Sequence, residues 1–587
     1  MKKSVIILGG GVAGMSAAHE LIEKGFEVTV YERQDHLPGG KARSIPLPEF
    51  TQGNNKDLSG EHGFRFFPGF YRHLIDTMKR TPSGDGTQKS TADNLIEAPI
   101  MMLARAGKKP IQMPSGFPNS LADLRLIVEA LHADTGLEEG ESKVILGKIW
   151  QLMTSSKRRR SEEYEQIGWW DYCEADKYSP AYRELFVDGL TRTLVAAKAK
   201  KANTFTNGNI LMQMIFGFGK PHEISDRILD GPTNEKWLYP WLDYLKKQGV
   251  NYHFKTTVVS VKTQGKEIAG VEILENGELQ TKTADYYLCA LPVERAAKVL
   301  ATPELIHLDG RLANLKKLSS QVAWMNGIQY FLKEDVKINA GHIILADSPW
   351  ALTVISQAQF WADYRWEEYG DSEVNGVLSI DVSDWDAPGV VFGKPAKDCT
   401  VKEVILEVWT QMKQNFNVEE ELLQDDNVAY VYIDEAIIFD KSFFKEGPSS
   451  NPKLNKPAKY GSSLVTENDE PLLVNEVGSW SLRPESYTAI PNLFLASDYV
   501  RSVTNLATME AANETARRAV NGIIAQSGER VPLCSLWEFK EPTWLLYYKW
   551  LDEKRYKQGL KWGKPRIKWY ALPASWLLRL LGKHKYL

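Results

Sequence analysis

The sequence predicts an α/β protein built on a parallel sheet, and three separated stretches predict it. In the first, an apolar run at 4–8 ends in Gly9-Gly10-Gly11-Val12-Ala13-Gly14, a helical pattern spans 15–24, and a strand at 27–31 ends on Glu32. In the second, an amphipathic helix over 237–248 stops at Gly249 and leads to strands at 251–254 and 286–291. In the third, a strand at 493–496 is followed by a loop and a helix over 508–524. One nucleotide-binding domain assembled from 1–75, 231–305 and 456–530 is therefore expected. The insertions 76–230 and 306–455 are expected to form a mixed α+β substrate domain, and 531–587 a separate C-terminal segment.

The glycines of the first stretch have G-x-G-x-x-G spacing between a strand and a helix. A tight glycine turn there lets backbone N–H groups approach a pyrophosphate, and the helix N-terminus favours its negative charge. Glu32 closes the second strand about 20 positions on, where an acid accepts hydrogen bonds from ribose hydroxyls. Lys2 and Lys3 before an apolar run also resemble the start of a signal peptide. The glycines interrupt that run and His19, Glu20 and Glu23 follow it, which argues against a secretory segment.

Between these stretches, residues 81–92 are polar and turn-rich, as in a loop leaving the first unit. Apolar residues at three- and four-residue spacing predict helices over 120–132 and 142–154, and another helix is expected over 180–196. Lys157-Arg158-Arg159-Arg160 reads as an exposed basic loop or helix end. Strands at 257–263, 268–274 and 280–284 are expected, the last two joined by an Asn276-Gly277 turn. Residues 320–385 alternate like strands, with candidates at 327–332, 342–345 and 352–357, and 400–415 returns to helix.

Composition narrows the class. A chain of 587 residues exceeds one compact core, and 43% hydrophobic with 25% charged residues is ordinary for a globular protein. Cys173, Cys289, Cys399 and Cys534 are scattered without a C-x-x-C pair, so neither disulfides nor a zinc site are expected, and a reducing, cytoplasmic setting is. The ten histidines show no metal-ligand spacing. No apolar run approaches the roughly 18 residues of a membrane span. The net charge of −4 conceals a basic tail: residues 538–587 hold twelve Lys or Arg against four Asp or Glu. Trp544, Trp550, Trp562, Trp569 and Trp576 interleave with them, as do Tyr547, Tyr548, Tyr556 and Tyr570. That pattern suits a peripheral membrane surface. A packed segment with a solvated basic face is the alternative. Nucleic-acid binding is the weakest reading, and no nucleic-acid partner is expected.

A second glycine pair, Gly39-Gly40, precedes Lys41-Ala42-Arg43, whose cations suit phosphate. Far downstream a strand ends in Asp498, and a helix begins at Thr508-Met509 among small residues. Together with the first fingerprint, this combination resembles the FAD-dependent amine oxidase and phytoene desaturase superfamily. Gly60-Glu61-His62-Gly63-Phe64-Arg65-Phe66-Phe67-Pro68-Gly69-Phe70-Tyr71 and Ser348-Pro349-Trp350 extend the likeness to carotenoid- and squalene-processing members, including hydroxysqualene dehydroxylases. The resemblance implies a Rossmann-type, glutathione-reductase-like domain holding FAD. It places Gly9, Gly11, Val12, Ala13 and Gly14 at the pyrophosphate, Glu32 and Arg33 at the adenosine end, and Gly39, Gly40, Lys41, Ala42 and Arg43 near pyrophosphate or flavin. Val258 would meet the adenine through its backbone, Asp498 the ribitol, and Thr508 with Met509 the flavin ring. No Cys or His lies between Arg501 and Met509, so non-covalent FAD is expected.

Glu61, His62 and Arg65 could serve as base, acid and anion stabiliser, or as a salt-bridged turn beside the cofactor. Trp350, Ser356, Gln357, Trp480 and Tyr487 are candidates for a substrate cavity or for core. Tyr71 and His73 are expected to pack. The leading expectation is hydride movement between FAD and a long apolar isoprenoid, carotenoid or related lipid, with the electron acceptor open. A flavin amine oxidase acting on a soluble amine is the alternative, and a non-catalytic flavin-binding scaffold the third.

Overall fold

The three α/β stretches meet in one parallel sheet. The structure, a computed structural model, describes residues 2–116, 123, 125–126, 129–130, 133, 135–189, 198–218, 226–439, 465, 467–566 and 568–580. Five strands lie in the order Asn251–His253, Glu27–Tyr31, Ser4–Leu8, Tyr286–Cys289, Leu493–Leu495. Every neighbouring pair is parallel. Numbered along the chain the order is 3-2-1-4-5, that of a doubly wound nucleotide-binding sheet. Val5, Ile7, Val28 and Val30 pack in one core with helices Val12–Glu23 and Met509–Ser527, while Ile6, Leu8, Tyr287 and Cys289 pack in another with helix Val293–Leu300. Burial on both faces explains why Ser4–Leu8 and Tyr286–Cys289 are continuous apolar runs, whereas Glu27–Tyr31, nearer the sheet edge, alternates. The expected α/β, Rossmann-type fold is the one the chain adopts.

A three-stranded antiparallel meander, Thr256–Gln264, Glu267–Glu275 and Glu278–Lys282, follows the third strand. Its second turn carries Asn276 and Gly277 at φ 52 and 83, the left-handed pair that a two-residue hairpin needs. A seven-stranded sheet runs Val428–Ile433, Asn326–Leu332, Gly376–Val382, Thr353–Ser356, Ile343–Leu345, Ile100–Arg105, Lys108–Pro114. Only the pairing of Ile343–Leu345 with Ile100–Arg105 is parallel. Helix Val401–Phe416, opened by a Thr400/Glu403 capping box, packs in the core behind it.

Two sequence expectations need correction. The first helix starts at Val12, not 15, because Gly9 at φ 101 reverses the chain and Gly11 already serves as extended N-cap. The basic stretch forms helix Lys157–Glu162 with Arg159 and Arg160 buried, not an exposed loop. Its partners come from the far end of the chain: Arg159 pairs with Asp552 at 3.0 Å and Arg160 with Glu541 at 2.9 Å. The expected helix at 120–132 lies mostly outside the described residues, as do 190–196 of the one at 180–196. All four cysteines are free and buried.

The C-terminal segment divides. Helix Leu546–Lys557 docks onto the cluster of Glu141–Thr154 and Thr204–Phe218, where Trp150 stacks on Trp544 at 5.9 Å and Lys549 is buried against Glu541. Helix Ala571–Leu580 instead turns Leu572, Trp576, Leu577 and Leu580 to solvent, and Trp569 before it is 89% exposed. No helix among the described residues is long and apolar enough to cross a membrane.

Candidate cofactor and active site

At the C-terminal ends of strands Ser4–Leu8 and Glu27–Tyr31, the glycine turn is held by backbone geometry. The Gly9 N–H donates to the Tyr31 carbonyl at 2.9 Å, and a Cβ on Gly14 would lie 2.0 Å from the Gly9 carbonyl oxygen. Glu32 is buried, accepting from Gly10 N–H at 2.7 Å and Gln34 N–H at 2.9 Å, and burial pushes its carboxyl up. A carboxylate has about four acceptor positions, so two remain for ribose hydroxyls. The second glycine pair closes against the first: Gly39 bridges to Gly11, and its N–H donates to the Gly10 carbonyl at 3.1 Å.

A cavity of about 720 Å³ runs from this turn to the seven-stranded sheet. Its near wall includes Gly9, Gly11, Val12, Ala13, Glu32 and Arg33, then Gly39, Gly40, Lys41, Ala42 and Val258. Asp498, Thr508 and Met509 close it from the other end of the chain. Thr508 caps helix Met509–Ser527 by accepting from Ala511 N–H at 3.1 Å, leaving the N–H groups of its first turn without intrahelical partners. An acid at the strand end, a glycine turn at one helix N-terminus and a second helix N-terminus on the same cavity fit a flavin dinucleotide.

Three predicted site residues are not on the cavity wall. Gly14 buttresses the turn from behind. Arg43 is buried between Glu470 at 2.9 Å and Glu435 at 2.6 Å, and those carboxylates hold its guanidinium charged. Lys41 does line the cavity, yet its Nζ pairs with Glu294 at 2.9 Å. The expectation of two free cations for phosphate is thus corrected by acids brought in from distant elements. Glu61 lies behind the wall: its N–H donates to Gln329 at 2.8 Å, its Oε1 accepts from Thr233 N–H at 3.1 Å, and burial pushes its carboxyl up to about 7.

His62 and Arg65 do line the cavity. Arg65 bonds the Gly63 carbonyl. Asp381, invisible to the sequence reading, faces the same space so closely that a Cβ on Gly63 would lie 2.5 Å from its Oδ1. Burial pushes the Asp381 carboxyl up to about 7, against the opposing pull of Arg65 and His62. Asp226 accepts from Gly69 N–H at 2.9 Å and is likewise raised by burial to about 7. His342, also on the wall, is held down to about 4 by burial alone. The remaining chamber is walled by Met101, Ile210, Met214, Met325, Phe66 and Leu506.

Trp350, Ser356, Gln357, Trp480 and Tyr487 do not line this cavity; the first three are core and Tyr487 is exposed. Tyr71 does line it, contrary to a pure packing role, while His73 is spent on Glu510 at 2.8 Å. Asp381 could have been found from its strand: Leu378, Ile380 and Val382 alternate with Ser379 and Asp381, an inward polar row that no solvent face explains.

Residues 12–524 match the family described as flavin containing amine oxidoreductase. The chain belongs to that family. It is an FAD-dependent oxidoreductase. Members similar in sequence include 15-cis-phytoene desaturase of Synechococcus elongatus, 23% identical over 553 residues, covering 89% of this chain and 96% of that one. Zeta-carotene desaturase of Synechocystis is 24% identical over 303 residues, covering 49% and 57%. Carotenoid phi-ring synthase of Chlorobaculum tepidum is 24% identical over 228 residues, and the match spans 39% of this chain and about a third, 33%, of that longer protein. In fold, an oxidoreductase from Methanosarcina mazei aligns over 89% of this flavoprotein and 100% of its own chain at 13% identity and TM-score 0.54. Wild-type putrescine oxidase aligns over 89% and 99% at 11% identity and TM-score 0.53.

Proposed function

We propose that this flavoprotein moves a hydride between FAD and a long apolar isoprenoid, carotenoid or related lipid. The strand segments around the glycine turns form the cofactor unit, and the insertions carrying the seven-stranded sheet form the substrate unit. The chain supplies Glu32 for the ribose, the N–H groups after Gly11 for the pyrophosphate, Val258 for the adenine, Asp498 for the ribitol and the Met509 N–H for the flavin ring, without a covalent link. FAD, when bound, accepts or returns the hydride, so the protein has only to orient the substrate and exclude water. The observation that carries the lipid reading is the chamber beyond Met509, whose methionine-rich wall adapts to a long apolar chain.

The C-terminal segment supports the same reading. Residues 554–587 contain ten Lys or Arg and no Asp or Glu, flanking the exposed Trp and Leu side chains of Ala571–Leu580. Helix Thr204–Phe218 links that region to the cavity: Phe216 stacks on Phe539 at 6.0 Å while Ile210, Gln213 and Met214 face the chamber. A peripheral, cytoplasmic-face position on an anionic bilayer follows. Truncation at Val531 would unpack Trp544, Lys549 and Asp552, so the informative variant is the triple Trp569→Ser, Trp576→Ser, Leu580→Ser. In flotation with phosphatidylglycerol vesicles it is expected to partition about a thousandfold more weakly, at roughly 1.5 kcal/mol per side chain. Equal flotation removes the membrane assignment.

A soluble amine is the second reading, and the carboxyls of Asp226 and Asp381 favour it. The deciding measurement is anaerobic bleaching of the flavin band at about 450 nm. Vesicle-borne ζ-carotene should bleach it, and putrescine or benzylamine should not. The reverse result establishes the amine reading. Bleaching by neither class, in protein that photoreduces normally, leaves a scaffold.

A further inference from the structure

Several charged groups around the cavity are spent on one another, as in the knot of Arg43, Glu435 and Glu470. A neutral contact behind the glycine turn instead acts on the turn's own backbone. Tyr252 belongs to strand Asn251–His253 at the edge of the parallel sheet, and its hydroxyl donates to the Gly10 carbonyl at 2.7 Å. Burial, with Glu32 beside it, pushes that hydroxyl well above its usual range, so it keeps its proton. The same carbonyl accepts from Gly39 N–H at 3.1 Å, and Gly10 N–H donates to Glu32 at 2.7 Å. The fit is steric as well. A Cβ on Gly10 would lie 1.9 Å from the Tyr252 hydroxyl oxygen, 2.6 Å from the ring carbon that bears it and 3.0 Å from Glu32 Cβ. Gly10 has no positive φ, so its backbone does not itself demand glycine. Chiefly the tyrosine excludes a side chain there.

We propose that Tyr252 is a positioning residue for the cofactor: by holding the Gly10 carbonyl, it aims the Gly11 N–H at the FAD pyrophosphate. The inference rests on the placement of FAD given above. The peptide joining Gly10 to Gly11 is planar and trans, so its N–H points opposite to its C=O. The carbonyl faces Tyr252, which is not on the cavity wall, whereas Gly11 is. No acceptor among the described residues meets the Gly11 N–H. It joins the N–H groups without intrahelical partners at the start of helix Val12–Glu23, where an anion is favoured. Were that peptide to rotate by half a turn, the carbonyl oxygen would face the phosphates and repel them. Gly9, Gly10 and Gly11 offer no side chain to oppose such a rotation. The hydroxyl supplies the restraint that they lack, on a ring packed against Phe254 at 4.8 Å. It comes from the second α/β stretch, 242 residues away. The cradle is therefore complete only once Asn251–His253 pairs with Glu27–Tyr31.

Ligands that carry part of FAD separate this role from packing. The dissociation constant of FAD is read by diluting the holoenzyme and following flavin fluorescence, and those of ADP and adenosine from the FAD that each displaces. Tyr252→Phe keeps the ring and removes only the donor. It should weaken FAD and ADP by about fivefold or more, the scale of one hydrogen bond, and leave adenosine within about twofold, since adenosine has no phosphate for the Gly11 N–H. Equal weakening of ADP and adenosine would mean general loosening of the site, and unchanged ADP binding would mean that the turn holds without the tyrosine; either overturns the proposal. If ADP displaces no FAD from wild type, the placement of the pyrophosphate has failed and the proposal falls with it. If ADP displaces FAD and Tyr252→Phe changes nothing, the placement stands and only the tyrosine's role is lost. A second pair of variants tests the contact itself. Gly10→Ala should purify with little flavin, and adding Tyr252→Leu should raise the flavin content to that of Tyr252→Leu alone by vacating the space. Full flavin in Gly10→Ala, or no recovery in a folded double variant, removes the contact on which the proposal stands.

Discussion

Gly14→Ala is expected to abolish the flavin band of the purified protein. The added Cβ would sit 2.0 Å from the Gly9 carbonyl oxygen, a backbone atom with no freedom to rotate away. Gly9 is committed to φ 101 and to its bond with Tyr31, so the strain must open the turn or displace helix Val12–Glu23. Overpacking of this kind costs about 1–3 kcal/mol or more, and here it falls on the N–H groups that would face the pyrophosphate. Absorbance at about 450 nm per protein, with thermal unfolding alongside, measures both consequences. Gly147→Ala is the control: that glycine lies inside helix Glu141–Thr154 with open space at the Cβ position, and should be neutral or stabilising by about 0.5–1 kcal/mol. Full flavin content in Gly14→Ala would show that this turn is not the cradle.

Arg43→Met carries the largest expected loss of stability, about 3–5 kcal/mol at neutral pH. Arg43 joins Glu470 and Glu435, and removing it leaves Glu470 buried with a weaker set of partners. The Glu470 carboxyl is held down to about 2 from an ordinary 4.5; burial opposes this, and Arg43 leads the charges that achieve it. A depressed carboxyl contributes stability above its unfolded value, and that contribution disappears as pH falls through its folded value. Wild type should therefore lose stability from about pH 4.5 toward about 2, and Arg43→Met should show a shallower loss in that window. Denaturant unfolding at pH 7, 5 and 3 reads both quantities. A variant within about 1 kcal/mol of wild type at pH 7, or an unchanged slope with pH, contradicts this account of the knot.

The parallel sheet was legible because Ser4–Leu8, Tyr286–Cys289 and Leu493–Leu495 are buried on both faces and because turns punctuate its elements. Gly9, Gly249 and the Asn276-Gly277 pair all take left-handed backbone angles at the ends of elements, and such positions announce themselves in one dimension. The helix behind the larger sheet, expected over 400–415, is opened by a capping box at Thr400 and Glu403. Site residues inherited this clarity where they follow a turn, as with Glu32, Gly39, Thr508 and Met509. Lys41 and Arg43 show the limit. A cation after a glycine pair looks available for phosphate until Glu294, Glu435 and Glu470 arrive from elsewhere in the chain.

By itself, then, the sequence determined the doubly wound sheet, the glycine turn and the C-terminal helix whose start lies on the same cavity, since all three depend on local backbone conformation and periodic burial. Tertiary structure alone decided which charges are free. It set Glu61 behind the cavity wall, paired Arg43 with Glu470 and Glu435, paired the buried Arg159 with Asp552, and turned the apolar side chains of Ala571–Leu580 to solvent. The physical reason is that a side chain's charge state and availability depend on desolvation and on partners within about 4 Å, and those partners lie hundreds of residues away in the chain.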